Sequence, residues 1–485
     1  MEAIRPERRP RLTLAATIVG SSLAFIDATV VIVALPTIER DLGLGLTGQQ
    51  WVFVSYSLAL AALYLVAGAI GDRYGRRSVF VAGAVGFALA SALAGAAGSE
   101  EVLIAARALQ GIGGALLTTN SLALLRSVYR EDAGRAIGLW TSLTSVATIA
   151  GPPAGGALVE WASWRWIFFV NPPLAALAVA LVFAGPADER RGESARRLDL
   201  PGALLAALGF GSLTYAMVEG SEKGFAPLWP AFALAAVALI AFVVFERRSR
   251  EPMLPLGLFH HRNFAAANLE TFFVYASLSG SFLFLALYLQ FLGLSPFEAG
   301  LVYVPTSAVM IVLAARFGAL ADRYGPRLFL AAGPALMGAA MVVLLLVDEQ
   351  GDLWTAGIAA LALFSLGLAA TVAPITATAL SSVPARYAGI ASGVNTTVSR
   401  LGGLVAVAVI GVVVSLVFQA GTGDANAVPL GRGQQDPDLR AASIDAFRAG
   451  IGVAALLAFA GAAVAVVGIS NAEARGVSEA AAAET

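Results

Sequence analysis

Asp27 sits inside an apolar run, with Ala, Thr and Val after it. A bare carboxylate is expensive in hydrocarbon, so by default it is functional and has a partner. Depth along the chain suggests Arg107. Asp27 lies about 16 residues beyond Arg11, or about 24 Å along a helix rising ~1.5 Å per residue. Arg107 lies about five residues into a later apolar run that enters from the far side. An arginine favours the charged carboxylate and burial favours the neutral acid, so a group held between the two can load and release a proton. The plainer reading is a static ion pair that fastens two helices. Arg107 itself stays protonated, which leaves it two roles: tuning that acid or contacting substrate. Glu270 stands about seven residues into another apolar run. It reads as a second proton site, as a counter-ion for cationic substrates, or as a side chain that snorkels to the near interface. Arg400 is a further charge within an apolar run, and on one reading it faces the inner mouth.

Other chemistries lack their residues. The chain has no cysteine, which excludes disulfides, thiolate nucleophiles and Cys-bound metals. Lys223 is the sole lysine and follows Glu222, so there is no Gly-Lys phosphate loop. Uphill movement of a solute would then need an ion gradient or a partner ATPase. His260 and His261 are adjacent and lack metal-ligand spacing. The glycines from Gly111 to Gly114 lie within a helical run with no strand before them, so packing is their reading. No enzyme, cofactor or metal is expected.

The elements that position these residues follow from composition. Of 485 residues, 58% are hydrophobic and 13% charged. Soluble domains carry about 25% charged residues, so this chain cannot cover itself with a solvated surface. The net charge of -1 gives no basic field for nucleic acid. A membrane helix needs about 20 apolar residues. About fourteen runs qualify, near 12–38, 50–71, 78–98, 102–125, 134–159, 166–186, 199–219, 227–246, 264–291, 299–320, 328–347, 353–380, 387–418 and 444–469. The run at 199–219 contains Pro201, and 387–418 is long. The longest connector, 419–443, is rich in Gly, Asp and Gln and reads as an exposed loop. The basic start imitates a signal peptide, but the apolar run is too long and no cleavage site is evident. Arginines cluster before the first run and after the second, fourth, sixth and eighth. By the positive-inside rule both termini are expected in the cytoplasm. Trp51, Trp161, Trp164, Trp166, Trp229 and Trp354 fall near the outer ends.

The chain also repeats. GAIGDRYGRR, Gly68 to Arg77, returns as GALADRYGPR, Gly318 to Arg327, at an offset of 250 (318 minus 68). Gly68 would allow close packing and Gly75 a tight reversal. Asp72 and Asp322 can each face the positive start of a helix. The bland reading of these turns is a solvated loop obeying the charge rule. The parse is a six-helix bundle over 1–186, two inserted helices with flanking loops over 187–263, and a second six-helix bundle with a tail over 264–485. Two such halves suit a transporter with its substrate site between them.

These residues resemble the major facilitator superfamily, and within it the 14-helix drug/proton antiporter branch. The two turns match the signature between helices 2 and 3 and its second-half counterpart. IDATVVIVALP (Ile26 to Pro36) and QWVFVSYSLA (Gln50 to Ala59) resemble the branch's first two helices. RALQGIGGA (Arg107 to Ala115) resembles its fourth-helix arginine motif, and GPPAGG (Gly151 to Gly156) the antiporter motif of helix 5. WRWIFFVNPP (Trp164 to Pro173) and SGVNTTVSRLGG (Ser392 to Gly403) complete an ordered set covering nearly the whole chain. Two positions depart from the pattern. Ala147 stands where the antiporter motif has glycine, and Pro326 where the second turn has a basic residue.

The resemblance implies an all-α polytopic membrane protein of the major facilitator fold, with 14 transmembrane helices. It implies a cytoplasmic gate of Gly68, Asp72, Arg73, Gly75, Arg76, Arg77, Asp322 and Arg323. In that gate Asp72 docks on the helix starting near Arg386, and Asp322 on the one starting near Gly134. It implies that Gly151, Pro152, Gly155 and Gly156 seal the central path; a kinked packing face would use the same residues. The expected function is proton-coupled efflux of amphipathic, cationic small molecules across the plasma (inner) membrane. Asp27, Arg107 and Glu270 would carry the coupling. The partners are then substrate, protons and the lipid bilayer, without nucleic acid; a periplasmic adaptor is not written in the sequence. The alternatives are a dedicated exporter of one endogenous metabolite (an antibiotic, siderophore or lipid precursor) and a receptor or assembly protein without transport. The last has no need of Asp27 together with both turns.

Overall fold

Glycine, proline and a few caps set the helix boundaries in an otherwise continuous apolar chain. A computed structural model describes residues 9–129, 133–186, 199–249, 252, 254–345, 356–384, 387–423, 429–431 and 436–473, and is helical almost throughout. The first half comprises α1 (Arg9–Leu42), α2 (Leu46–Tyr74), α3 (Arg76–Gly95), α4 (Glu100–Tyr129), α5 (Ala133–Trp161), α6 (Trp166–Phe169) and α7 (Asn171–Ala184). Then follow α8 (Leu200–Lys223) and α9 (Trp229–Arg248). The second half comprises α10 (Arg262–Phe291), α11 (Pro296–Leu301), α12 (Tyr303–Tyr324), α13 (Pro326–Leu344), α14 (Ala356–Ser381), α15 (Ala388–Thr422) and α16 (Pro437–Gly468).

Among the described residues, twelve helices are long and apolar enough to cross a membrane. The count is thirteen if the bent pair Leu46–Tyr64 and Val66–Tyr74 is one span. The expected fourteen is not reached by this measure, because α5 falls short of it. Its stretch TSLTSVATIAGPPAGG mixes hydroxyls, glycines and two prolines into the apolar run. Pro201 does not weaken α8. It occupies the first turn, where no backbone donor is needed, and Asp199 caps the helix by accepting from Gly202 N at 2.9 Å. The connector expected over 419–443 is shorter. α15 continues to Thr422, and Asp436 starts α16 by accepting from Asp438 N and Leu439 N. Two expected spans are broken helices: α6 leads into α7 at Asn171-Pro172-Pro173, and α11 leads into α12 after a Ser295–Glu298 capping box.

The repeat is structural as well as sequential. Gly75 has φ +94° and Gly325 φ +95°, a region open to glycine and strained for other residues. The Gly75 and Gly325 amides donate to Gly71 O and Ala321 O at 2.9 and 2.8 Å. Helix pairs repeat too. A Cβ on Gly113 of α4 would meet Gly83 O and Phe87 N of α3; one on Gly367 of α14 would meet Gly333 O and Met337 N of α13. α8 is tied to α2 by Trp51, whose Nε1 donates to Glu219 Oε1 at 2.8 Å. Lys223 pairs with the same carboxylate at 2.7 Å.

Candidate functional site

Five helices converge on Asp27. It is fully buried, as is Arg107. Arg107 Nη1 of α4 donates to Asp27 Oδ2 of α1. Gln110 Nε2 of α4 and Asn171 Nδ2 of α7 both donate to Oδ1 at 3.1 Å. Arg107 also donates from Nη1 to Gln110 Oε1 (2.7 Å) and from Nε to Val52 O of α2 (3.2 Å), and its guanidinium lies 4.5 Å from the Tyr56 ring centroid. Asn171 is held in turn by α3, donating to Ser91 Oγ at 2.9 Å. The sequence pointed to the Asp27–Arg107 pair but not to Gln110, Asn171 or Ser91. Each is one polar residue among small ones, and nothing in its spacing sets it apart. The pair sits within the first half's bundle, and its charges are satisfied by five groups there.

Glu270 is placed elsewhere. It lies on α10 in the second half, fully buried, and among the described residues neither carboxyl oxygen has a hydrogen-bond partner. Its complete burial rules out the snorkelling reading. Arg400 is half-buried on α15 and has no ion pair among the described residues. It lies near the hydroxyls of Tyr64 on α2 and Tyr275 on α10, between the two halves.

The signature turns are exposed. Asp72 pairs with Arg76 inside its own turn, through Nη2 at 2.8 Å and Nε at 3.0 Å. Arg76 also donates to Ala123 O, and Arg77 to Phe183 O at 2.9 Å. Arg73 and Arg323 fold over Tyr74 and Tyr324 at 5.6 and 5.3 Å. Asp322 has no ion pair among the described residues, and Pro326 occupies the position of Arg76. Gly68 is not the close-packing glycine expected, since a Cβ there would meet nothing within 4 Å. Gly71 takes that role against Asn120. The expected dock of Asp72 near Arg386 lies outside the described residues, as do the side chains at the start of α5.

GPPAGG is a double contact. Cβ atoms on Gly151 and Gly155 would collide with Thr29 and Val30 of α1. A Cβ on Gly156 would collide with the backbone of Pro296 and Phe297, across the halves, and one on Gly300 with the backbone of Pro152. Phe297 N donates to Glu160 Oε2 at 3.2 Å, and the Trp161 and Phe297 rings lie 5.1 Å apart. Two glutamines that the sequence left without a role also join the halves. Gln50 Nε2 donates to Val407 O at 2.8 Å, and Gln290 Nε2 to Val33 O at 3.0 Å. The Phe297, Gln50 and Gln290 bonds lie toward the end of the molecule away from the signature turns. A fourth link, Tyr64 with Thr396, lies nearer the turns.

Two repeated helical halves, charged residues inside apolar spans and close contacts between the halves define a multi-pass membrane transporter. The chain belongs to the Major Facilitator Superfamily, whose sequence profile matches residues 17–407. It is 37% identical over 418 residues to the multidrug resistance protein Stp of Mycobacterium tuberculosis, covering 85% of this chain and 77% of that one. It is 34% identical over 415 residues to the tetracenomycin C resistance and export protein of Streptomyces glaucescens, covering 84% and 76%. Among solved structures, a bacterial homologue of the human lysosomal transporter Spinster, crystallised inward-facing and unoccupied, aligns over 98% of this chain and 99% of its own. The TM-score is 0.67 at 19% identity. Membership places the protein among transporters of small molecules rather than among enzymes.

Proposed function

We propose that the protein is a proton-coupled efflux antiporter of the plasma (inner) membrane. It exports amphipathic compounds, cationic drugs and toxins foremost, by alternating access between bundles 1–186 and 264–485, with 187–263 as an inserted pair. Relatives named for multidrug resistance and for export support the direction of transport. The observation that carries coupling is Asp27, a buried carboxyl of α1 held by an arginine and two amides on α4 and α7. A carboxyl fixed by partners on several helices exchanges its proton when those helices shift, which is what coupling needs. Glu270, buried and without a hydrogen-bond partner among the described residues, is the second proton site. α5 is the fourteenth span, and its proline-glycine segment seals the path beside α1 and α11.

Arginine placement supports termini and signature turns on the cytoplasmic side. The far-end contacts at Gln50, Gln290 and Gly156 then belong to an inward-facing form closed toward the outside. When the inside closes, Asp72 and Asp322 latch it against the starts of α15 and α5.

Everted vesicles test the reading. With an imposed pH gradient, wild type accumulates ethidium and Asp27→Asn does not. Accumulation that ignores both the gradient and the substitution sinks the antiport assignment. Arg400 favours a second reading, a dedicated exporter of one metabolite. A half-buried cation between the halves, without an ion pair among the described residues, suits a substrate with an acidic group. Transport of an anionic dye in preference to ethidium, lost in Arg400→Gln, would select it.

A further inference from the structure

The two halves repeat in backbone but differ in their interiors. Gly83 and Gly333 make matching contacts, as do Phe87 and Met337, so α3 and α13 correspond at an offset of 250 (333 minus 83). Gly113 and Gly367 fix α4 and α14 at 254 (367 minus 113). Thr29 meets Gly151 as Ser279 meets Gly403, which sets α1 and α10 at 250 (279 minus 29). By these offsets Asp27, Ser91, Arg107 and Gln110 correspond to Ser277, Met341, Leu361 and Phe364. The ion cluster of the first half is therefore replaced by apolar side chains in the second. Ser277 satisfies itself by donating to Ala454 O at 2.8 Å.

That place is not filled. A cavity of about 660 Å³ lies among α10, α12, α13, α14 and α16, with Met341, Leu361 and Phe364 on its wall. Phe282, Tyr288, Tyr303 and Phe447 add aromatic surface, and the Tyr288 and Phe447 rings stack at 3.7 Å. Among the described lining residues the one charged side chain, Glu298, is engaged in the helix cap with Ser295. The mouth lies at the end away from the signature turns, beside Leu301 and Ile358, which are 42% and 58% exposed. Sites for drug-sized ligands span roughly 300–1,000 Å³. An apolar cavity stays dry and takes apolar guests. Aromatic walls favour a ring, through offset and edge-to-face contacts.

We propose that the interior of the second bundle is a binding site for uncharged, ring-bearing apolar compounds, separate from the path between the halves. Such compounds reach it from the membrane through the mouth at Leu301 and Ile358.

Photolabelling tests the site without relying on transport. The full chain in liposomes is exposed to trifluoromethyl phenyl diazirine, an uncharged aryl probe, and labelled residues are mapped by mass spectrometry. Met341 and Phe447 are 1% and 2% exposed, so lipid does not reach them, whereas Leu456 is 70% exposed. Labelling of Met341 and Phe447 should saturate. It should fall by roughly tenfold in Leu361→Trp, which fills the cavity, and in Ile358→Trp, which narrows the mouth. Labelling of Leu456 should not change. Ile358 is exposed, so its variant remains informative if Leu361→Trp does not fold. Excess phenanthrene should suppress the saturable signal. Absence of label at Met341 and Phe447, or label indifferent to a folded variant, overturns the site. Suppression by monoolein but not phenanthrene overturns the ring-bearing ligand in favour of a lipid chain.

Discussion

Arg107 donates directly to Asp27 in the interior of the first bundle, and the other Asp27 oxygen accepts from Gln110 and Asn171. The arrangement joins α1, α4 and α7 through one carboxylate. Removing the arginine strands a buried charge, a loss of about 3–5 kcal/mol. Arg107→Leu should therefore lower the thermal unfolding midpoint of the purified protein, and Asp27→Asn should lower it less than an apolar replacement of Asp27 would. Asparagine keeps an oxygen for Arg107 to bond. The two variants separate the fastening role from the coupling role. Asp27→Asn should insert and fold, yet lose the response of efflux to the pH gradient. If it transports with normal pH dependence, the pair is a structural clasp only.

The turns invite an unequal result. Asp72 is held by Arg76 at 2.8 Å, whereas Pro326 leaves Asp322 without that neighbour. A pre-oriented carboxylate loses less freedom on docking, so Asp72 should be the stronger latch. Asp72→Asn should abolish uphill ethidium efflux in cells while membrane fractionation shows normal insertion. Asp322→Asn should retain a measurable part of it. Equal losses in both variants would contradict this asymmetry.

What the sequence made legible follows the cost of each feature. A charge in an apolar run is expensive, so Asp27, Arg107 and Glu270 announced themselves. A glycine that permits positive φ in a repeated turn did so too, and Gly75 and Gly325 have nearly the same φ. Gly68 misled because a missing side chain does not say which neighbour, if any, uses the space. Gln50, Gln290 and Asn171 stayed silent for a related reason. An amide in a span costs little enough to occur without a role, and only its partner on another helix gives it one. The connector near 419–443 read as loop because its Asp and Gly are also helix-ending residues, Asp436 being in fact a cap. The run at 134–159 reads as a span by eye, but the hydroxyls, glycines and prolines of α5 keep it below the apolar threshold that the other helices meet.

Close approach at GPPAGG should rank its substitutions. Gly151 faces the Thr29 side chain, which can rotate, but Gly156 faces the backbone of Pro296 and Phe297, which cannot. Gly156→Leu should therefore block the closed far end more completely than Gly151→Leu, although both should uncouple or stop transport. The chain has no cysteine, so a single introduced pair reports cleanly. With Glu160→Cys and Phe297→Cys as background, a short thiol cross-linker should join the halves efficiently. Adding Gly156→Leu should abolish the product. Undiminished cross-linking with Gly156→Leu would show that the contact is not required for closure.

If the protein alternates access as proposed, the two interhalf glutamines should bias the balance between the inward-facing and outward-facing forms. Gln50 bonds Val407 O at 2.8 Å and Gln290 bonds Val33 O at 3.0 Å, both toward the end where the halves are packed together. A buried hydrogen bond contributes about 1 kcal/mol, so losing both should move the equilibrium by roughly 2 kcal/mol, about 30-fold toward the open far end. Gln50→Leu with Gln290→Leu should speed labelling of a Val33→Cys reporter, fully buried in this form, by an outside maleimide, each single change giving about fivefold. Leucine keeps the volume of the amide side chain, so stability should change little while the conformational ratio shifts. Transport should slow, because return to the closed far end becomes the unfavourable step of the cycle. Reporter labelling that stays at the wild-type rate in the double variant would show that helix packing, including the Gly156 contact, holds that end shut without the glutamines.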